Sequence, residues 1–153
     1  MLNSDIGFMM PILENNNFCN YICHTVKEFI NHNKKFNCCI FNQYCELVDT
    51  KNVPLLPMSH ARYFDGNLLV LDMASLLLSI NFPKTKNIYF YTNITPWTSS
   101  YNNYNEWQKI FGKKNLKIIS NSNHIHDIYN IVWNNSVGVV ENMTYETLSK
   151  YIY

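Results

Sequence analysis

Short, mainly apolar runs alternate along this chain with segments whose apolar residues recur every three or four positions, and that alternation restricts the fold more than any other feature. The runs cover residues 36–41, 67–71, 87–91, 116–119 and 137–140. Each has the length of a strand, and none shows the polar alternation of a strand with one wet face, so each is expected to be buried on both sides. Between them, residues 17–33 place Phe18, Tyr21, Ile22, Val26, Phe29 and Ile30 on one stripe of a helix, with Lys34 and Lys35 favourably placed at its negative pole. Shorter helices are predicted over 74–80, closed by Pro83, over 106–111, stopped by Gly112, over 124–133 after the capping run Ser120 to Asn123, and over 145–151, capped by Thr144.

Strands buried on both faces and separated by helices make a mostly parallel sheet with helices on either side. The reading is therefore one Rossmann-like, doubly wound α/β domain over residues 1–153, with no internal repeat and no linker dividing it. One stretch resists the pattern. Residues 46–66 contain Pro54, Pro57 and Gly66, show no sustained period beyond a short strand near 53–56, and are longer than an ordinary loop. The part from Met58 to Phe64 is too rich in aromatics and polar donors for a tether, and its Ser59, His60 and Arg62 are expected to close over a ligand.

Composition excludes several classes of partner. Apolar residues at 47% and charged residues at 15% describe a chain that folds, and a net charge of +1 gives no whole-surface affinity for nucleic acid or anionic lipid. Arg62 is the single arginine beside eleven lysines, and asparagine is abundant, as an AT-rich coding sequence produces without regard to function. Residues 1–20 lack the pattern of a secretory leader and no segment approaches the ~20 apolar residues of a membrane span, so a cytoplasmic protein with no membrane partner is expected. The cysteines Cys19, Cys23, Cys38, Cys39 and Cys45 are odd in number and absent from the last two-thirds, a poor disulfide framework; reduced, core-packed thiols are expected.

In a doubly wound sheet, ligands bind beyond the carboxyl ends of the strands. The residues that fall there are Asn42 and Gln43, Asp72, Thr92 and Asn93 with Pro96 and Trp97, Ser120 through His124, and Glu141. Asp72 and Glu141 suit a general base or a sugar-hydroxyl acceptor, although capping the following helix is the commoner use of an acid there. Trp97 with Tyr101 and Tyr104 suits stacking on a base or a sugar ring, against the commoner docking of a loop by its tryptophan. Lys109, Lys113, Lys114 and Lys117 form a local basic group, more often simply a solvated face. His124 and His126 point to different faces, and Cys19, Cys23, His24 and His32 lack zinc-ligand spacing, so no metal site is expected. No glycine-rich phosphate loop appears, which excludes a dinucleotide or P-loop site.

Two stretches, Asn87-Ile-Tyr-Phe-Tyr-Thr-Asn-Ile-Thr-Pro-Trp97 and Ile118-Ile-Ser-Asn-Ser-Asn-His-Ile-His-Asp-Ile-Tyr-Asn-Ile-Val-Trp133, with Val137-Gly-Val-Val-Glu-Asn142 after the second, carry a family likeness. In this order they resemble the N-terminal half of glycosyltransferase-like proteins of tailed bacteriophages, which have the two-domain B-type fold, over about residues 36–152. The resemblance implies a phage protein in the host cytoplasm whose domain handles the acceptor, a DNA or a protein, while another domain binds a nucleotide sugar as donor substrate and no further cofactor takes part. That second domain is not within these 153 residues, so a partner chain or a homodimer is expected to complete the cleft. On this reading Asp72 or His124 is the base, and Asn93, Trp97, Asn121, Glu141, Arg62 and His60 bind substrate. Two other readings stand beside it: a non-enzymatic viral module that binds a host or phage protein, and a nucleic-acid-binding accessory factor.

Overall fold

The computed structural model describes residues 5–32, 37–46, 49–98 and 104–152. In chain order the elements are β1 (Ile6–Met9), β2 (Ile12–Leu13), α1 (Asn17–His32), β3 (Cys38–Asn42), β4 (Tyr44–Cys45), β5 (Leu55–Pro57), a 3₁₀ helix (Met58–Tyr63), β6 (Asn67–Val70), α2 (Met73–Ser79), β7 (Asn87–Thr92), a 3₁₀ turn (Pro96–Thr98), α3 (Tyr104–Phe111), β8 (Leu116–Ser120), α4 (Asn123–Val132), β9 (Ser136–Val139) and α5 (Tyr145–Ile152). Expectations at Lys34, Lys35, Phe36 and Tyr101 fall outside the described residues.

Seven of these strands form one all-parallel sheet in the order β5-β3-β1-β6-β7-β8-β9. The chain starts in the middle, winds outward through β3 and β5, crosses back to β6, and winds out the other way. This is the doubly wound, Rossmann-like arrangement expected from the alternation of runs and helices. The central strand β1 is an addition to that expectation. Ile6 to Met10 is an apolar run between Asp5 and Pro11, but it is short and interrupted by Gly7, and it precedes the first strongly periodic segment.

Both faces are covered, which explains why the strands read as mainly apolar runs without a regular polar alternation. Ile6, Phe8, Ile40, Leu69, Tyr89 and Ile119 point to the face packed by α1 and α5. Their neighbours Met9, Phe41, Leu68, Val70, Phe90 and Ile118 point to the face packed by the 3₁₀ helix, α2, α3 and α4. Buried polar groups tie the layers together. Thr25 Oγ1 of α1 donates to the Met143 carbonyl (2.6 Å), and Asn67 at the start of β6 donates to the Ile152 carbonyl of α5 (2.7 Å) while accepting from the Asn87 amide (2.9 Å). No helix among the described residues is long and apolar enough to cross a membrane.

The two shortest strands carry the sheet past its own edge. β1 pairs Met9 with Phe41 of β3, and β2 pairs Ile12 with Tyr44 of β4 in the same relative register. The β1/β3 ladder is thus interrupted at Pro11 and Gln43, both of which take part in the joint through bonds from the Gln43 and Tyr44 N–H groups to the Pro11 carbonyl (2.9 and 3.0 Å). It then resumes as a separate two-stranded ribbon beyond the carboxyl ends of β1 and β3.

Candidate functional site

The order β1-β6-β7-β8-β9 sets the residues just after β6, β7, β8 and β9 along one side of the sheet, beginning where the winding reverses, between β1 and β6. The loops in this row are laced to one another: the Asn121 N–H donates to the Thr92 carbonyl (3.1 Å), and the Val140 N–H donates to the Ser120 carbonyl (2.8 Å). Thr92 Oγ1 accepts from the Ile94 N–H (3.1 Å), a local turn that fixes the loop carrying Asn93. Asn93, His124 and Glu141 are exposed, and Asn121 is half-buried. The row thus offers two amides, a carboxylate and an imidazole, all suited to hydrogen-bonding hydroxyl groups.

Asp72 lies at the reversal point, but its carboxylate is committed. One oxygen accepts from the Ser75 N–H (2.9 Å) and the other from the Ser75 hydroxyl (2.6 Å), so Asp72 is the cap of α2. Ser122, one of the four residues read as a capping run, caps α4 by accepting from the Ile125 N–H (3.4 Å).

Trp97 occupies the place of an anchor rather than a free stacking surface. Its ring meets Phe111, Tyr129 and Trp133 edge-on at 5.4, 4.9 and 5.7 Å, and Tyr104 stacks on Trp133 at 5.1 Å. The Tyr129 hydroxyl donates to the Ile94 carbonyl (3.2 Å), and burial pushes that phenol's pKa up. The aromatics of this loop therefore hold it to α3 and α4.

His60 and Arg62 lie on the element that follows β5, and of the expected edge Arg62 meets the part at Asn42 and Gln43. The stretch expected to hang over the ligand edge is a 3₁₀ helix laid against the sheet through the fully buried Ala61. His60 is exposed, and Arg62 faces a groove of about 940 Å³ that it shares with Asn42, Gln43, Ser59, Leu55 and Phe82, and not with the row at β6–β9. The lysines are partly committed as well: Lys113 Nζ donates to the Ile80 carbonyl (3.1 Å) and to Asn81, and Lys117 Nζ sits over the Tyr89 ring at 5.3 Å.

One polar chain was invisible in the sequence beyond the opposed orientation of the two histidines. His126 Nδ1 lies 2.7 Å from Ser136 Oγ, and Asn130 Nδ2 lies 3.1 Å from His126 Nε2. The set has the residue types of a nucleophile, a base and an orienting amide, yet the bonds assign the opposite proton. Asn130 Oδ1 accepts from the Ser136 N–H (3.1 Å), so its amino group faces Nε2 as donor. Nε2 must accept, Nδ1 carries the hydrogen, and Ser136 Oγ accepts it while donating onward to the Ile118 carbonyl (3.4 Å). His126 is in the wrong tautomer to take a proton from Ser136. The chain instead pins α4 to the irregularity between β8 and β9, where Ile118 pairs with Ser136 but Ile119 with Gly138.

Among the described residues no three His, Cys, Asp or Glu side chains gather as metal ligands. Comparison with protein-family models, with curated proteins and with solved structures finds no match to this chain.

Proposed function

We propose that this chain is an acceptor-binding domain of a glycosyltransferase-like system, holding a hydroxyl-bearing acceptor at the carboxyl edge of β6–β9 while a second chain or second copy supplies the nucleotide sugar. The observation that supports this reading is the row itself: Asn93, Asn121 and Glu141 come after adjacent parallel strands on loops that hydrogen-bond to one another, and His124 stands in the first turn of α4 beside them. His124 is the candidate base, since it is exposed while Asp72 has both oxygens on Ser75. Glu141 and the two amides are the acceptor's hydrogen-bond partners. An open sheet edge does not exclude water, so transfer requires a covering surface. Ile12, Tyr44 and Ile94 expose apolar area, 46%, 57% and 49% respectively, on the ribbon and the β7 loop for such a surface to pack on. The same exposed area is what favours the second reading, a non-enzymatic module that captures a protein partner.

Amide shifts in a ¹⁵N-labelled sample titrated with monosaccharides and nucleotide sugars separate the two. The proposal expects shifts at residues 93, 121–124 and 141, with affinity lowered roughly tenfold by Glu141→Gln, the loss of one charged hydrogen bond. Silence toward every sugar, together with tight capture of one host or phage protein, overturns it in favour of the module. Retention on DNA that weakens steeply with salt would instead favour the nucleic-acid factor.

A further inference from the structure

The groove that contains Arg62 exists because two elements are too short to cover the sheet. The crossover from β5 to β6 is made by a six-residue 3₁₀ helix, roughly 12 Å long, and the next helix, α2, has seven residues, roughly 10 Å. Between them the margin of the sheet at β3 and β5 stays open. Leu56 and Leu78 are left 39% and 53% exposed there, beside the half-buried Leu55 and Phe82. The space, about 940 Å³, has the size and the mainly apolar lining of a small-molecule site.

Its charge is unbalanced. No acidic residue lines it, and Arg62 makes no ion pair among the described residues; its guanidinium lies 5.0 Å from the ring of its neighbour Tyr63. A guanidinium presents a planar fork of donors that matches a carboxylate or a phosphate. Asn42 and Gln43, at the end of β3, and Ser59 add neutral hydrogen-bonding groups to the wall.

We propose that this groove binds a small amphipathic anion, with its apolar body on Leu55, Leu56 and Phe82 and its carboxylate or phosphate on Arg62. One cation is too few for a nucleic acid, whose affinity grows with the number of phosphates neutralised. A second copy fits poorly, because a two-fold contact through the groove would set two arginines together with no lining acid to pair either one. The site is separate from the row at β6–β9, so the two proposals stand or fall independently.

The test uses the whole chain with decanoate, decyl phosphate and the neutral decanol, each below its aggregation limit, read by calorimetry and by amide shifts. Both anions are expected to bind at least tenfold more tightly than decanol, with shifts at residues 55–62 and 78–83. Arg62→Gln should remove that tenfold preference, and Arg62→Lys should keep part of it, with the melting temperature unchanged in both because the side chain is exposed. The stronger of the two anions identifies the head group. Equal binding of decanol, anion binding indifferent to Arg62→Gln, shifts located elsewhere, or a concentration-dependent dimer dissolved by Leu78→Glu would each overturn the proposal.

Discussion

Four of the five cysteines are held out of water. Cys38 and Cys39 are consecutive in β3 and point to opposite faces of the sheet, and Cys19 and Cys23 lie on the buried face of α1; all four are buried, while Cys45 on the ribbon is exposed. Burial pushes the Cys23 thiol up to about 11 and the Cys39 thiol up to about 12, the latter with a contribution from the Asp5 charge, and it raises Cys38 as well. Because the thiolate is the nucleophile, these groups are inert near neutrality. A colourimetric thiol reagent at pH 8 should therefore titrate one fast cysteine in the native protein and all five in denaturant. The same shifts set a pH dependence. Each of these thiols has a folded pKa above the ordinary value of 9.0, so the unfolded chain loses its protons first as pH rises. Their contribution is complete below pH 9 and declines as pH climbs toward 11 and 12, by about 1.4 kcal/mol per pH unit for each titrating thiol. Urea midpoints measured between pH 7 and 11 should stay level and then fall.

At the level of elements, local pattern and tertiary context divide the credit unevenly. Helix α1 begins at Asn17 as its stripe indicates, and β6 through β9 lie where the apolar runs lie, because burial on both faces leaves that mark in the residues themselves. The ribbon strands β2 and β4 leave no such mark: with two residues each, they are strands only because the β1/β3 register continues through them. The candidate row was legible for the same reason as the strands, since its members lie in the polar segments that follow each run, within five residues of its end. The groove at Arg62 was not, because it is made by what the 3₁₀ helix and α2 fail to cover. Gly138 shows how context writes a constraint that reads locally as a weak strand residue. A Cβ there would lie 2.3 Å from the Tyr151 ring of α5, closer than carbon atoms approach. Gly138→Ala should lower the unfolding free energy by about 1–3 kcal/mol, as overpacking does, and Tyr151→Leu in the same chain should return part of it, both read from urea melts.

For the molecule as a whole, the parallel sheet makes every one of its strand pairings a long-range one. Asn67 joins the sheet to α5: its amide spans from Asn87 of β7 to Ile152 at the buried start of β6. Asn67→Ala strands both partners without a bond and should cost about 2–4 kcal/mol. The three tryptophans, Trp97, Trp107 and Trp133, all pack on the α3–α4 side, so their fluorescence reports one layer and far-UV dichroism reports both. Coincident urea transitions from the two signals, in the native protein and in Asn67→Ala, are expected of one cooperative unit; separated transitions would show that the layers melt apart. That single amide also sets an order of events during synthesis. Its bond to Ile152 cannot form until residues 145–152 have left the ribosomal exit tunnel, so a nascent chain that has made every described strand still lacks the tie between β6 and α5.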